Sequence, residues 1–213
     1  MAKQAKCQFY LLSPPAIGPD FADELARALD AGGVAAFQLR LKPADDATIL
    51  RAAEILRPIV QDRGVAFILN DRPDLAAKTG CDGAHIGVED MGLREARALL
   101  GPDAIIGVTC KTSRHRAMEA AEQGASYVAF GAFFDSATRG VVAEADLEIL
   151  EWWSQLMVVP CVAIGGITPE NCGPLVRAGA DFICASAGVW RHPDGAAAGV
   201  AAYNRAINQS SQR

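Results

Sequence analysis

The 213-residue sequence has no excess of positive charge: 25 aspartates and glutamates face 20 lysines and arginines, for a formal net charge of −5. A general binder of nucleic acid or of anionic membrane surfaces carries the opposite sign, so neither partner is expected. Long apolar runs are also missing. Met157–Ile167 is the longest, and it contains Pro160 and two glycines; it is too short to cross a bilayer as a helix. The amino-terminal stretch MAKQAKCQFYLLSPP has only Phe9–Leu12 as an apolar core, too little for a secretory signal, and a cytoplasmic setting is expected. The six cysteines form no C-x-x-C pair and the three histidines have no ligand spacing, which points to free thiols rather than disulfides or a zinc site. The turn after the first apolar run reads Ser13-Pro14-Pro15-Ala16-Ile17-Gly18. It lacks the G-x-G-x-x-G loop that usually marks a doubly wound dinucleotide-binding sheet.

What is present is an alternation. Short apolar, β-branched or aromatic runs are each followed by a longer amphipathic segment. The runs Cys7–Leu12, Val34–Leu39, Val65–Asn70, Gly83–Ile86, Ile105–Thr109, Tyr127–Gly131, Val158–Ile164 and Phe182–Ala185 predict strands. Phe21–Ala31, Ala44–Asp62, Pro73–Thr79, Leu93–Leu100, Arg114–Gln123, Glu144–Gln155, Pro169–Arg177 and Gly195–Ile207 predict helices. Glycines past the helix ends and the cap-like Thr168-Pro169-Glu170 punctuate the pattern. The strands are apolar on both faces, as parallel strands beneath helices must be. Eight βα units in this length predict one (β/α)8 TIM barrel over residues 1–207, with a polar tail at 208–213; an open doubly wound sheet is the alternative.

In such a barrel, chemistry gathers where the strands end. The second strand exits through Gln38, Arg40 and Lys42, two cations on an alternating face that suit a phosphate or pyrophosphate. The third exits at Asn70-Asp71 and the fourth runs His85 to Asp90. Asp71 and Asp90 can therefore converge, and two carboxylates facing two cations fit a Mg²⁺ between them. The competing reading makes Asp71 a helix cap and Glu89 and Asp90 solvated acids. His85 reads as a hydrogen-bonded structural histidine. Thr109 ends the fifth strand; Cys110 has no histidine beside it in sequence to activate a thiolate. After the sixth strand, Ser136, Thr138 and Arg139 again suit an anion, while Phe133 and Phe134 either cover an aromatic ring or fill the loop base. Small residues at Gly165-Gly166 and Ser186-Ala187-Gly188 let backbone N–H groups approach a second phosphate. A diphosphate site and a monophosphate site with room for rings between them describe a group transfer from a diphosphate donor.

Taken together, Gln38-x-Arg40-x-Lys42, Asn70-Asp71, Asp82-Gly83-Ala84-His85-Ile86-Gly87 with Asp90, Ala163-Ile164-Gly165-Gly166-Ile167 and Gly179-Ala180-Asp181 resemble the thiamine phosphate synthase family, in order and along nearly the whole chain. The resemblance implies coupling of hydroxymethylpyrimidine diphosphate to a thiazole monophosphate with release of pyrophosphate. It implies that Gln38, Arg40, Lys42 and Asn70 hold the diphosphate substrate, that Asp71 and Asp90 hold Mg²⁺, and that Thr109 meets the pyrimidine where the family usually has serine. It implies that Ser136 and Thr138 meet the thiazole phosphate, that Arg139 replaces a lysine at pyrophosphate, and that Gly166 with Ser186-Ala187 forms the second phosphate site. Arg40, Lys42, Thr109 and Arg139 are the residues it assigns to catalysis. The family's serine after the eighth strand falls on Ala187, with Ser186 one place early, and a one-residue offset turns a strand side chain to the other face. A related thiazole tautomerase carries histidine where this chain has Lys111. The remaining alternative is a non-catalytic phosphate-binding barrel. A homo-oligomer is compatible with all of these readings.

Overall fold

The computed structural model describes residues 6–135 and 142–211. Eight parallel strands pair in sequence order and close on themselves: β1 (Gln8–Leu12), β2 (Val34–Leu39), β3 (Ala66–Asn70), β4 (Gly83–Ile86), β5 (Ile105–Lys111), β6 (Tyr127–Phe130), β7 (Cys161–Ile164) and β8 (Phe182–Ala185). Around them lie α1 (Phe21–Asp30), α2 (Asp46–Gln61), α3 (Pro73–Thr79), α4 (Leu93–Leu100), α5 (Arg114–Glu122), α6 (Glu148–Leu156), α7 (Cys172–Arg177), α8 (Ala187–Trp190) and α9 (Ala196–Ser210). This is a single (β/α)8 barrel.

Strand alternation divides the apolar residues into two cores. Phe9, Leu11, Phe37, Leu39, Phe67 and Leu69 face outward into the helix layer. Tyr10, Leu12, Ile68, Tyr127, Ala129, Val162 and Cys184 point inward and fill the barrel. Gly107 on β5 is one place where a missing side chain is needed: a Cβ there would lie 1.9 Å from the ring of Tyr127. The inward tyrosine takes the volume that β5 gives up.

At the end of the barrel where the strands begin, three odd-numbered strands are held by the same device. Asp82, just before β4, donates its N–H to the carbonyl of Phe67 at 2.9 Å, and its carboxylate accepts the N–H of Phe67 at 2.6 Å. Ser126 makes the same reciprocal pair with Ile106, and Asp181 with Cys161. Each clamp gives an acceptor to an N–H that would otherwise be buried without one. Asp82 and Asp181, which stand in the motifs that carry the resemblance, therefore serve the frame at the end of the barrel away from the strand exits.

Two helices, α6 and α7, start three or more residues later than periodicity predicts. Glu144 and Ala145 both donate their N–H groups to the carbonyl of Ala132 at 3.0 Å, tying this segment to the β6 exit, so α6 begins at Glu148. Asn171 turns its side chain back, accepting from Thr168 N–H at 2.7 Å and donating to the Gly166 carbonyl at 3.0 Å, and α7 begins only at Cys172. The four-residue α8 was not foreseen; α9 runs through Ser210, taking in Asn208–Ser210 of the expected tail. None of the helices among the described residues is long and apolar enough to cross a membrane.

Replacing Asp82 or Asp181 with alanine is expected to remove about 1–3 kcal/mol of unfolding free energy by stranding a buried N–H. Urea denaturation measures that loss. Steady-state constants at the far end of the barrel should move less than about twofold; a larger kinetic effect in a variant of normal stability would contradict the structural role.

Candidate active site

A cavity of about 740 Å³ opens where the strands end, and Gln38, Arg40, Lys42, Asn70, Asp71, Asp90, Thr109, Gly166, Ser186 and Ala187 all line it. Nearly every residue singled out from the strand exits is thus brought to one place. Ser136, Thr138 and Arg139 lie outside the described residues.

On the β2–β4 side, the Lys42 ammonium contacts the Asp71 carboxylate. Asp71 adopts a left-handed backbone with φ of 62° while its N–H donates to the His85 carbonyl at 2.7 Å. Such a conformation is uncommon outside glycine and is held by its surroundings. The helix-cap reading of Asp71 does not apply: Arg72 occupies the cap position of α3 and makes no side-chain cap bond. Asp90 accepts the N–H of Gly87 at 2.6 Å. A Cβ on Gly87 would lie 2.7 Å from Asp90 Oδ2 and 4.0 Å from Asp71 Oδ1, which places both carboxylates over the same turn. Burial first, and then the adjoining Asp71 carboxyl, push the Asp90 carboxyl above its ordinary range. Among the described residues no three His, Cys, Asp or Glu side chains cluster closely enough to enclose a metal. Two oxygen donors open to the cavity still suit Mg²⁺, which characteristically takes one or two carboxylates and completes its shell with water and substrate phosphates.

Arg40 is set by its backbone. The Ser13 hydroxyl, buried at the β1 exit, accepts the Arg40 N–H at 2.8 Å. Ser186 in turn donates its hydroxyl to the Ser13 carbonyl at 2.9 Å. That bond stitches the exits of β8, β1 and β2 and commits the Ser186 hydrogen to a backbone carbonyl. What this side offers an anion is backbone. Gly166 has φ of 61°, and a Cβ there would lie 2.6 Å from the Phe134 carbonyl oxygen, so only glycine fits where the two loops touch. Phe133 is buried in the core and Phe134 packs against it; neither lines the cavity, so they fill the loop base.

The cavity floor is polar in an otherwise apolar interior. Gln38 Nε2 donates to the Tyr10 hydroxyl at 2.9 Å, the Tyr10 and Tyr127 hydroxyls are 2.8 Å apart, and His85 bridges Tyr127 at 3.0 Å and Thr109 at 2.7 Å. His85 is buried, consistent with its structural reading. Tyr10, Tyr127 and Ser13 were missed from sequence. Their signal was available: tyrosines at inward positions of apolar strands must find hydrogen-bond partners. Lys111, with φ of 52° at a bulge in β5, also lines the cavity. The Cys110 thiol is buried and pushed up to about 12 by that burial, which removes it as a nucleophile at neutral pH.

A family model described as thiamine monophosphate synthase matches residues 9–189. The chain belongs to that family. It is 62% identical over 202 residues to the thiamine-phosphate synthase of Rhodospirillum centenum, covering 94% of this chain and 98% of that one. It is 50% identical over 205 residues to the thiamine-phosphate synthase of Hyphomonas neptunium, covering 93% of each. Among solved structures, the thiamine phosphate pyrophosphorylase from Pyrococcus furiosus superposes with a TM-score of 0.82 at 27% identity, covering 96% of this chain and 97% of that one. The family match ends inside α8, so the closing helix α9 lies beyond it.

The raised Asp90 predicts a trade between stability and turnover. A carboxyl whose pKa is higher in the fold than in the unfolded chain destabilises the fold once it ionises, so its penalty is absent well below the unfolded value and complete above the folded one. In EDTA, Asp90→Asn should therefore melt higher than the parent at pH 7, and the difference should shrink as the pH falls through the carboxylate range. The same variant should lose at least about tenfold in turnover, equivalent to about 1.4 kcal/mol of barrier. Thermal melts across pH, with turnover at limiting Mg²⁺, check both halves.

Proposed function

We propose that this protein is a cytoplasmic thiamine-phosphate synthase that joins hydroxymethylpyrimidine diphosphate to thiazole monophosphate and releases pyrophosphate. The observation that carries the reading is the meeting of Arg40, Lys42, Asp71 and Asp90 on one side of a cavity whose other side is the open backbone of Gly166 and Ala187. One side suits a metal-bound diphosphate and the other a monophosphate, with ring-sized space between them.

In this reading Arg40 and Lys42 bind the diphosphate and neutralise the charge that grows on it as the methylene C–O bond breaks. The electron pair leaves with pyrophosphate, and the pyrimidine ring shares the positive charge left on the methylene carbon. The thiazole nitrogen then gives its lone pair to that carbon, forming the C–N bond of a thiazolium; no external oxidant or base is required. Asp71 and Asp90 would hold Mg²⁺, which when bound supplies further positive charge to the diphosphate oxygens. Gln38, Asn70 and Thr109 orient the pyrimidine diphosphate. Backbone N–H groups near Gly166 and Ala187 fix the thiazole phosphate, so that the two partners are held in line for attack. Ser136, Thr138 and Arg139 complete the acceptor and pyrophosphate contacts in this assignment.

Incubating the protein with both substrates and Mg²⁺ should yield thiamine phosphate and pyrophosphate in equal amounts; absence of product would overturn the reading in favour of a phosphate-binding barrel. Arg40→Ala and Lys42→Ala should each weaken the pyrimidine diphosphate by about 1.5–3 kcal/mol, the worth of a charged hydrogen bond. Thiazole phosphate binding, titrated separately, should change less than about twofold. Equal losses for both substrates would assign the two cations a structural role.

A further inference from the structure

Two connections shape the β2–β4 side of the cavity: residues 40–45 between β2 and α2, and residues 71–72 between β3 and α3. Among the described residues, two ion pairs run from the first connection and the start of its helix to the second. Within the cavity, Lys42 meets Asp71. Outside it, the Arg72 guanidinium forks onto two carboxylates. Nε and Nη2 donate to Asp74 at 2.8 and 2.7 Å, Nη2 donates to Asp46 Oδ2 at 2.9 Å, and Nη1 lies against Asp46 Oδ1. Asp46 is the first residue of α2 and Asp74 the second of α3, so one side chain ties the starts of both helices. The bonds from Arg72 hold both carboxyls below the ordinary aspartate range.

Between these two rungs the connections are not packed together. A second cavity, of about 360 Å³, is lined by Lys42, Pro43 and Ala44 on one side and by Asn70, Asp71 and Arg72 on the other. Interdigitated side chains fix the spacing of two segments, and a cavity between them does not. Asp71 is the residue with most to lose from that freedom. The Asn70 carbonyl accepts the Arg72 N–H at 2.9 Å; with its φ of 62°, Asp71 is the middle of a γ-turn of the rare, strained hand. Such a turn persists only where its flanks are held. One flank is strand β3, with the Asp71 N–H on the His85 carbonyl. The other flank is Arg72.

We propose that Arg72, through its fork on Asp46 and Asp74, is a positioning residue that keeps the Asp71 carboxylate aimed at a divalent cation and sets its spacing from Lys42. This rests on the reading above in which Asp71 and Asp90 are the Mg²⁺ carboxylates. Arg72 itself stands outside the walls of the active-site cavity, so it acts through Asp71 rather than on a substrate.

Charge alone gives the opposite expectation, which makes the proposal testable. Removing a cation near the site should tighten the binding of another cation; releasing Asp71 should weaken it. Mn²⁺, as a stand-in for Mg²⁺, is titrated into the full-length protein and the free ion followed by electron paramagnetic resonance. Arg72→Gln should raise the Mn²⁺ dissociation constant by about three- to tenfold, the scale of one to two charged hydrogen bonds. Arg72→Lys keeps the charge but loses the fork; it should weaken Mn²⁺ in the same direction, and it serves alone if Arg72→Gln does not fold. Unchanged or tighter binding in these variants would overturn the proposal. So would parent-like Mn²⁺ binding by Asp71→Asn, because the ion would then lie elsewhere.

A control separates positioning from a general loss of surface ion pairs. Arg63 makes a comparable fork on Asp30, Nε to Oδ1 at 2.7 Å and Nη2 to Oδ2 at 3.3 Å, between the far ends of α1 and α2. Asp30→Asn should leave Mn²⁺ binding within about twofold, as expected of an exposed pair remote from the site; a loss equal to that of Arg72→Gln would mean that both act through overall stability. In turnover, Arg72→Gln should raise the Mg²⁺ concentration for half-maximal rate by the factor seen with Mn²⁺, with the KM for thiazole phosphate unchanged. Absence of thiamine phosphate formation by the unmodified protein would defeat the functional reading, while the Mn²⁺ titrations would still decide the role of Arg72.

Discussion

Closing eight short parallel strands into a ring forces every second side chain into a narrow interior, and no residue there can choose its neighbours independently. The inward set must fill the space without voids and satisfy every polar group it contains. The packing of Tyr127 against Gly107, and the linking of Gln38, Tyr10, Tyr127, His85 and Thr109, are two consequences of that one constraint. The inward set is apolar apart from the hydrogen-bonded side chains of the cavity floor. On that floor, the strand ends can carry charge that a solid core would not tolerate.

The charge at the strand ends is placed against its own electrostatic preference. Asp71 and Asp90 converge with Lys42 beside them, and burial, followed by the adjoining Asp71 carboxyl, raises Asp90. Asp71 is also held in a left-handed conformation. Such arrangements persist where surrounding bonds over-determine them, here the His85 carbonyl beneath Asp71 and the Gly87 N–H on Asp90. The reciprocal clamps of Asp82, Ser126 and Asp181 stabilise the frame at the other end of the barrel.

Legibility from sequence followed how local each signal was. The strands are recognisable because burial on both faces leaves short apolar runs, and the observed starts fall within three residues of those read from sequence. The starts of α6 and α7 were misplaced because non-local contacts set them: the Ala132 carbonyl captures the segment before α6, and the Asn171 side chain closes the turn before α7. Among site residues, charged ones stood out at strand exits, where nothing in the core explains them. Ser13, Tyr10 and Tyr127 did not, since a serine in a turn and tyrosines in apolar strands look ordinary until their partners are known. Ser186 was correctly noticed as small and polar, but its bond to Ser13 joins residues 173 positions apart.

The sequence by itself determined the barrel, the family, and which strand exits bear cations, carboxylates and glycines, because alternation, helix punctuation and residue type at a strand end are short-range properties. Only the tertiary structure decided how those residues face one another: that Asp71 is turned into the cavity rather than capping α3, that the Ser186 hydroxyl bonds the Ser13 carbonyl, and that Thr109 is hydrogen-bonded to His85. The reason is closure. Each of these relations spans different strands, and the angle at which two strand exits meet is set by the whole ring rather than by any segment of it.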